Sequence, residues 1–597
     1  MTAAADSHHA ALPGPRLRLA GRPSPRRRPD PRRRPDPRRR PAAVLAVVVA
    51  ALVVLAGCAS LPRSGPVTAS DPDLPAAQGI GLFARGPEVG ASPQEIVDGF
   101  LAASAAGYSD DFLVARQFLA GTAEQTWQPL AQVRIFADAQ PQYTRTPDGA
   151  VRLSVASQAT VDSDGRFTES GPQAAIETEF TLVRDADGEW RIIELDDGVL
   201  VPFAIFSSVY VQSALYFVTP DRQAFVPEVR WFPRENLATA LVRGLLQGPS
   251  PWLSPGVVNV APTGTRMTVE SVAVTDGIAQ VNLSAESLAA ESEERALFAA
   301  QLTRTLREVP GVQEVQLTAA GAPYEITDDV PELPAYPYSS RNPVVVADGA
   351  LAEVDGGEVV PRPGADQLAG LDPRHPAVGY EQQNPTTVFL DGADRLMAAA
   401  GADAPVELVT GAGLVPPSVD LRGWVWTTPA ANDGTLVAVR PDRTRVGVAA
   451  PWLDGGTVVS LRISREGARA VVVWQAAGST VIDAAAVVRD VDGTPRALAE
   501  PVRIGDRVTA AADLAWVDEN TVAVLGDSGG DSEPTVHLLP LGGPTSRLPV
   551  VEGAVSIAAG RGERSILLGT GDGRLYERTG AAWRAVHDDV FDPALPG

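Results

Sequence analysis

Cysteine occurs once in 597 residues, as Cys58, and lysine does not occur; all 50 basic residues are arginine. A lone thiol cannot close an internal disulfide, complete a zinc knuckle or hold an iron–sulfur cluster. Without lysine there is no Walker A loop, no Schiff-base lysine and no Ser-Lys dyad. Only three of the five histidines come after Cys58: His375, His537 and His587. None is within four residues of another, so the spacing of a zinc pair is missing. A Ser-His-Asp site would have to be assembled around one of these three. No catalytic residue, metal or cofactor is expected, and the chain reads as a non-enzyme.

What is present is unevenly distributed. Residues 1–40 hold 12 arginines and 3 aspartates, residues 41–57 hold no charge, and from Cys58 onward acids exceed arginines by 32. The basic end repeats Arg-Arg-Arg-Pro-Asp-Pro around residues 26–40, where proline favours extended chain. Such a segment suits nucleic-acid binding or the positive end of a signal peptide. The adjoining residues favour the second. Residues 42–57 form an uncharged apolar run of 16 residues. That is short for a membrane span of about 20 residues and right for a signal-peptide core. It ends in Leu55-Ala56-Gly57-Cys58. This is the pattern of a bacterial lipobox, with small residues admitting the peptidase and a thiol that takes diacylglycerol as a thioether. Residues 1–57 are therefore expected to be a lipoprotein signal peptide with an arginine-rich leader. Cys58 is expected to be S-diacylglycerylated and N-acylated. The remainder would be lipid-anchored on the extracytoplasmic face of the cell membrane, basic residues staying inside. The acidic body would repel nucleic acid, which is not expected as a partner. Residues 58–92, rich in proline, glycine, alanine and serine, read as a flexible tether spanning roughly 30 Å.

Beyond the tether the chain divides into three bodies. Over 93–210, Ser92-Pro93-Gln94-Glu95 is a capping-box pattern opening a helix. A second helix is expected at 110–119 and a turn at 122–130. Strands then lead to an Asp187-Gly188 hairpin before Trp190-Arg191-Ile192-Ile193. Helices followed by an antiparallel sheet resemble the ketosteroid-isomerase-like cone fold. That fold serves as an enzyme or as an inert binding module; Asp110, Asp111, Asp196 and Asp197 show no partners in the sequence. Over 211–328 the order is β-β-α-β-β-α-β. Leu237, Leu241 and Leu245 share a helix face that stops at Gly248-Pro249, a strand pair turns at Asp276-Gly277, and a second helix is expected at 291–308. With Leu215-Tyr216-Phe217 and Val281-Asn282-Leu283-Ser284, this resembles the GerMN domain of sporulation and germination proteins. A proline-rich hinge, Pro331 to Pro337, introduces the third body, 335–597. There strand starts recur near Leu368, Val419, Leu461, Leu514 and Val555, at 41 to 53 residues. This is the size of a four-stranded blade and predicts a β-propeller of five or six blades, with strands at 343–360 completing the last.

The fold class is thus multidomain: an α+β cone-like N-terminal domain, an α+β GerMN-like domain and an all-β propeller. Asp-x-Asp-Gly at 162–165, 185–188 and 490–493 could begin calcium loops, but the distal ligands are missing and hairpin turns explain them better. All ten tryptophans lie after Cys58. Those of the third body, Trp424, Trp426, Trp452, Trp474, Trp516 and Trp583, suit blade core or a carbohydrate groove, and core is favoured. His587-Asp588-Asp589 reads as a solvated tail.

Lipobox, cone-like body, GerMN-like body and degenerate propeller, in this order, resemble the LpqB family of actinobacterial lipoproteins. The resemblance implies a non-enzymatic regulator or accessory protein of a two-component sensor histidine kinase of the MtrA–MtrB type. Its partner would be the kinase's extracytoplasmic domain, and its outcome the control of cell-wall metabolism and division. The alternative is a lipoprotein that binds a cell-envelope ligand or glycan.

Overall fold

The computed structural model describes residues 85–597 apart from 148, 337–340, 382 and 530–532. The expected signal peptide, the expected lipobox with Cys58 and most of the expected tether lie outside the described residues.

Helix α1, Pro93–Ala106, begins as its sequence dictates. The Ser92 hydroxyl accepts the Glu95 N–H, and the Glu95 carboxylate accepts the Ser92 N–H at 2.7 Å. Its apolar face, Ile96, Val97, Phe100 and Ala103, is buried. The sheet runs Trp190–Glu194, Ala175–Arg184, Val151–Asp162, Gln132–Phe136, Val199–Pro202. Only the last pair is parallel. Both edge strands and the central strand touch α1, so the sheet wraps around the helix. Aromatic rings fill the space between; Phe100 meets Trp127 and Phe180 edge-on at 5.1 and 6.2 Å. The helix expected at 110–119 is only Leu113–Arg116. Asp111 and Phe112 have φ of 54° and 60°. That left-handed pair cannot lie inside a helix, and it turns the Phe112 ring into the core, where 2 % of the residue stays exposed. The turn expected to reach 130 likewise stops at Thr126, because Trp127 goes extended to bury its ring.

The second body pairs Tyr210–Val218 with Phe225–Pro233 and packs helices α2, Leu237–Gln247, and α3, Ser292–Leu306, beside them. A second sheet runs Ala273–Thr275, Ile278–Leu283, Glu314–Ala319, Ala322–Pro323. Leu241, Leu245, Phe298, Leu302 and Leu306 meet in one fully buried core. The strand expected before the Asp276-Gly277 turn is short and pairs over Ala273–Thr275. Upstream, Met267 makes a single bridge to Leu283.

Among the described residues the third body has four four-stranded sheets and one of nine strands, in which two blades are joined through the Ala449–Ala497 pair, giving six blades. The innermost strands of blades 2 to 6 are Arg374–Val378, Ser418–Val419, Thr457–Ile463, Ala510–Trp516 and Ala554–Ala558. Each lies beside the next around the ring. Blade 1 is composite: Val344–Ala347, Ala350–Asp355 and Glu358–Pro361 are joined by Val590–Ala594 from the other end of the chain. His587-Asp588-Asp589 is therefore no tail; it is the turn into the strand that closes the ring. Trp424, Trp426 and Trp516 are 1, 0 and 5 % exposed, so they pack as blade core. Trp452 and Trp474 pair edge-on at 5.9 Å, and Trp583 donates its indole N–H to the Pro549 carbonyl.

Candidate functional site

The residues singled out by type alone do not converge. His375 is half-exposed and lies 3.7 Å from Asp592. His537 is buried within blade 5, and His587 ends a strand of blade 6. Gly526-Asp527-Ser528-Gly529-Gly530 has the spacing of a nucleophile elbow. Gly526 and Asp527 end the strand Thr521–Asp527 of blade 5, and the next described element is the strand Thr535–Pro540, not the helix that follows such a serine in a nucleophile elbow; Gly530 lies outside the described residues. The three Asp-x-Asp-Gly segments are hairpin turns, closed by N–H bonds from Gly165, Gly188 and Gly493 to the carbonyls of Asp162, Asp185 and Asp490. Among the described residues no group of three or more His, Cys, Asp or Glu is placed to hold a metal ion. No described helix is long and apolar enough to cross a membrane.

The propeller axis is filled. The hairpin between the first two strands of blade 4 carries Arg465, 2 % exposed, across it. The guanidinium donates to the carbonyls of Pro596, Ala559 and Gly560 at 2.6 to 2.9 Å. About 50 Å³ remains, too little for a sugar ring.

The same blade edges hold the other bodies. Arg469, beside that hairpin, is paired with Glu466 and donates to the carbonyls of Pro227 at 3.2 Å and Glu519 at 2.7 Å. Tyr216 of the second body donates to the Glu519 carboxylate, and its ring lies under Arg304 at 3.7 Å. Burial holds that phenol far above its ordinary pKa, so it stays a donor. Glu169 of the first body accepts from Thr545 and pairs with Arg507 at 3.2 Å. A turn of the second body enters blade 4 at Gly256, where a Cβ would lie 2.9 Å from that of Ala486. The expected hinge is fastened as well. Pro334 accepts from Phe225, and Tyr336 donates to Gly560 and accepts from Arg465.

Asp221 pairs with Arg422 across this interface. Burial pushes the Asp221 carboxyl up, but hydrogen bonds from Thr219 and Arg422 and the arginine charge outweigh it and hold the group below its ordinary 3.8. A folded pKa below the unfolded one contributes stability that is complete above 3.8 and lost as pH falls through the folded value. Asp221→Asn is therefore expected to melt lower than the parent at neutral pH and to converge with it in acid. Melting temperatures measured against pH test this; a gap independent of pH would count against it.

A cleft of about 710 Å³ lies between the first two bodies. Its walls are the corner Tyr108–Phe112, the Asp162–Gly165 turn, the start of α2 and residues 270–271. The turn is pinned to the second body by the Trp231 N–H on the Gly165 carbonyl at 2.7 Å. Only glycine fits there, since φ is +84° and a Cβ would sit 2.6 Å from the Trp231 carbonyl. At the floor Tyr108 and Tyr210 share a hydrogen bond. Burial raises both phenols, Tyr108 to about 12. Of the aspartates unpartnered in the sequence, Asp196 pairs with Arg134 at 2.9 Å and Asp197 accepts the Gln128 N–H. Asp110 and Asp111 line the cleft with Glu235 and Glu270. The sequence signalled the first two only as acids without partners and did not signal the last two.

Fold and interfaces define a multidomain protein in which an α+β sheet domain and a GerMN-like module are braced on a six-bladed propeller. Family models match in the same order. Residues 86–207 match the N-terminal domain of lipoprotein LpqB, 214–325 the sporulation and spore germination domain, and 349–596 the LpqB β-propeller domain. Lipoprotein LpqB of Thermobifida fusca is 28 % identical over 546 residues, covering 79 % of this chain and 86 % of its own. That of Streptomyces avermitilis is 26 % identical over 595 residues, covering 91 % and 96 %. The first GerMN domain of the Bacillus subtilis sporulation protein GerM covers 21 % of this chain and 93 % of its own, at 22 % identity and a TM-score of 0.17. The chain belongs to the LpqB lipoprotein family.

Proposed function

We propose that the chain is held by lipid on Cys58 at the extracytoplasmic face of the cell membrane and acts there without catalysis. It is an accessory protein of a sensor histidine kinase of the MtrA–MtrB type, tuning cell-wall metabolism and division. The observation that carries this reading is family membership running through all three bodies, so that what the family implies applies to the whole assembly and not to one shared module. Relatives named as lipoproteins, and histidines that stand apart, support a binding role over turnover. Contact alters kinase output only if it favours one kinase conformation over another. Glycan binding in the propeller axis or within the cone has less support, since side chains fill both.

The full chain in detergent is expected to bind the purified extracytoplasmic domain of the kinase saturably. Surface plasmon resonance with the kinase domain immobilised tests this, and signal that never saturates would sink the reading.

A further inference from the structure

The cleft between the first two bodies has a chemistry of its own. Asp110 and Asp111 stand on one wall, Glu235 and Glu270 on others, and none of the four has an ion-pair partner among the described residues. The two further aspartates there, Asp162 and Asp164, are taken by Arg166 at 3.4 and 2.7 Å. One cation, Arg243, lines the cleft, so negative charge is in excess.

Two sheltered polar groups point to an occupant, the second of them independent of that charge. Oδ2 of Asp110 accepts the Val114 N–H, while its Oδ1 is enclosed and has no partner. At the floor, Tyr108 and Tyr210 have two hydroxyl protons and one shared hydrogen bond, so one donor is left over. Tyr210 is 6 % exposed. Groups of this kind, sheltered from water, favour a ligand that satisfies them.

The walls also select against other classes. Excess carboxylate repels anions. A saccharide needs an open aromatic face, but of the rings lining the cleft Phe112, Tyr210, Trp231 and Phe232 are buried and Tyr108 is only partly exposed. What is open at the mouth is aliphatic. Leu130 lines it at 59 % exposure. The volume falls within the roughly 300–1,000 Å³ of ordinary ligand sites.

We propose that this cleft docks a basic, partly apolar polypeptide segment of a partner protein, its cations meeting the carboxylates of Asp110, Asp111, Glu235 and Glu270 and an apolar side chain covering Leu130. The inference goes beyond the kinase reading and stands whether or not the partner is a kinase.

The test is fluorescence anisotropy of the full chain in detergent with a labelled peptide of Arg-Leu-Ala repeats. Peptides of Glu-Leu-Ala and Gln-Leu-Ala repeats serve as controls. Saturable binding of the arginine peptide alone is expected, weakening with salt. The triple variant Asp111→Asn, Glu235→Gln, Glu270→Gln changes only exposed side chains and is expected to weaken it about ten-fold. Removing equal charge from the propeller surface, by Glu358→Gln, Asp403→Asn and Glu552→Gln, is expected to leave binding unchanged. Equal loss in both triple variants would reduce the effect to general acidity and overturn the proposal. So would binding of the glutamine peptide at the same strength, or displacement of the arginine peptide by a chitooligosaccharide. Peptide binding that survives while the kinase domain fails to bind would overturn the kinase reading alone; the converse would overturn the cleft alone.

Discussion

Arg469→Ala is expected to lower the unfolding free energy by about 3–5 kcal/mol, the range for stripping one partner from a buried ion pair. The side chains of Arg469 and Glu466 are 1 % and 0 % exposed. Glu466 Oε1 accepts from Arg469 Nε at 2.7 Å and from the Ser464 hydroxyl at 2.5 Å, while its Oε2 is already enclosed without a partner. Removing the guanidinium leaves that carboxylate one hydroxyl as its support. It also strips the donor from the Pro227 carbonyl in the second body and the Glu519 carbonyl in blade 5. The guanidinium further lies 5.0 Å from the centre of the Trp516 ring. One substitution thus injures the propeller and its seat for the GerMN-like module together. Glu466→Ala should cost a similar amount. The double variant should cost less than the two added, because no buried charge is then left unpaired. Arg469→Lys should rescue little, since an ammonium cannot reproduce the fork that reaches two elements. Urea denaturation followed by tryptophan fluorescence reads these effects. An unchanged midpoint for Arg469→Ala, or strict additivity in the double variant, would contradict the account.

None of this was legible in the sequence, and the reason is distance along the chain. Arg469 and Pro227 are 242 residues apart, Asp221 and Arg422 201, Tyr216 and Glu519 303. No periodicity or local motif couples such positions. Local chemistry was legible. Ser92 and Glu95 cap α1, the Asp-Gly pairs turn hairpins, and Val419, Leu461, Leu514 and Val555 all fall in innermost blade strands. Where local signals misled, tertiary packing overrode them. Asp110 to Leu119 has helical spacing, yet burying the Phe112 ring forces two left-handed residues into it. Leu368 marks a repeat, but the strand begins at Arg374, and Leu368 itself plugs a short turn. The strands expected at 343–360 to complete the last blade do pair with the end of the chain, Val344–Ala347 lying against Val590–Ala594; only the closing strand itself, read as a solvated tail at its start, was not legible. The cleft was half visible: Asp110 and Asp111 stood out as acids without partners, whereas Glu235 and Glu270 lie on another body and join them only after folding.

Cys58→Ser is expected to move the protein from the membrane fraction into the soluble fraction and to abolish its labelling by radioactive palmitate. Cys58 lies outside the described residues, so the expectation rests on chemistry. A thiolate attacks the lipid donor and forms a thioether; a serine hydroxyl is a far weaker nucleophile at neutral pH. The strength of anchoring depends on acyl count. At about 0.8 kcal/mol per buried CH₂ a single chain binds marginally and reversibly, whereas two or three hold firmly. No described helix offers a second hold, and the chain from Cys58 onward is strongly acidic and so repelled by anionic lipid. Loss of the lipid should therefore empty the membrane fraction rather than thin it. The unprocessed leader is the complication, because an uncleaved apolar run at 42–57 can itself retain the chain. Mass spectrometry of the mature N-terminus separates the cases. Retention with the leader still attached is consistent with the lipid anchor; retention of a Cys58→Ser chain from which the leader has been removed would end it. The same variant tests the accessory role. If docking on a membrane-bound partner depends on being held beside it, the released protein should bind the isolated kinase domain with unchanged affinity yet fail to alter kinase output in cells, because tethering supplies effective concentration and not contact.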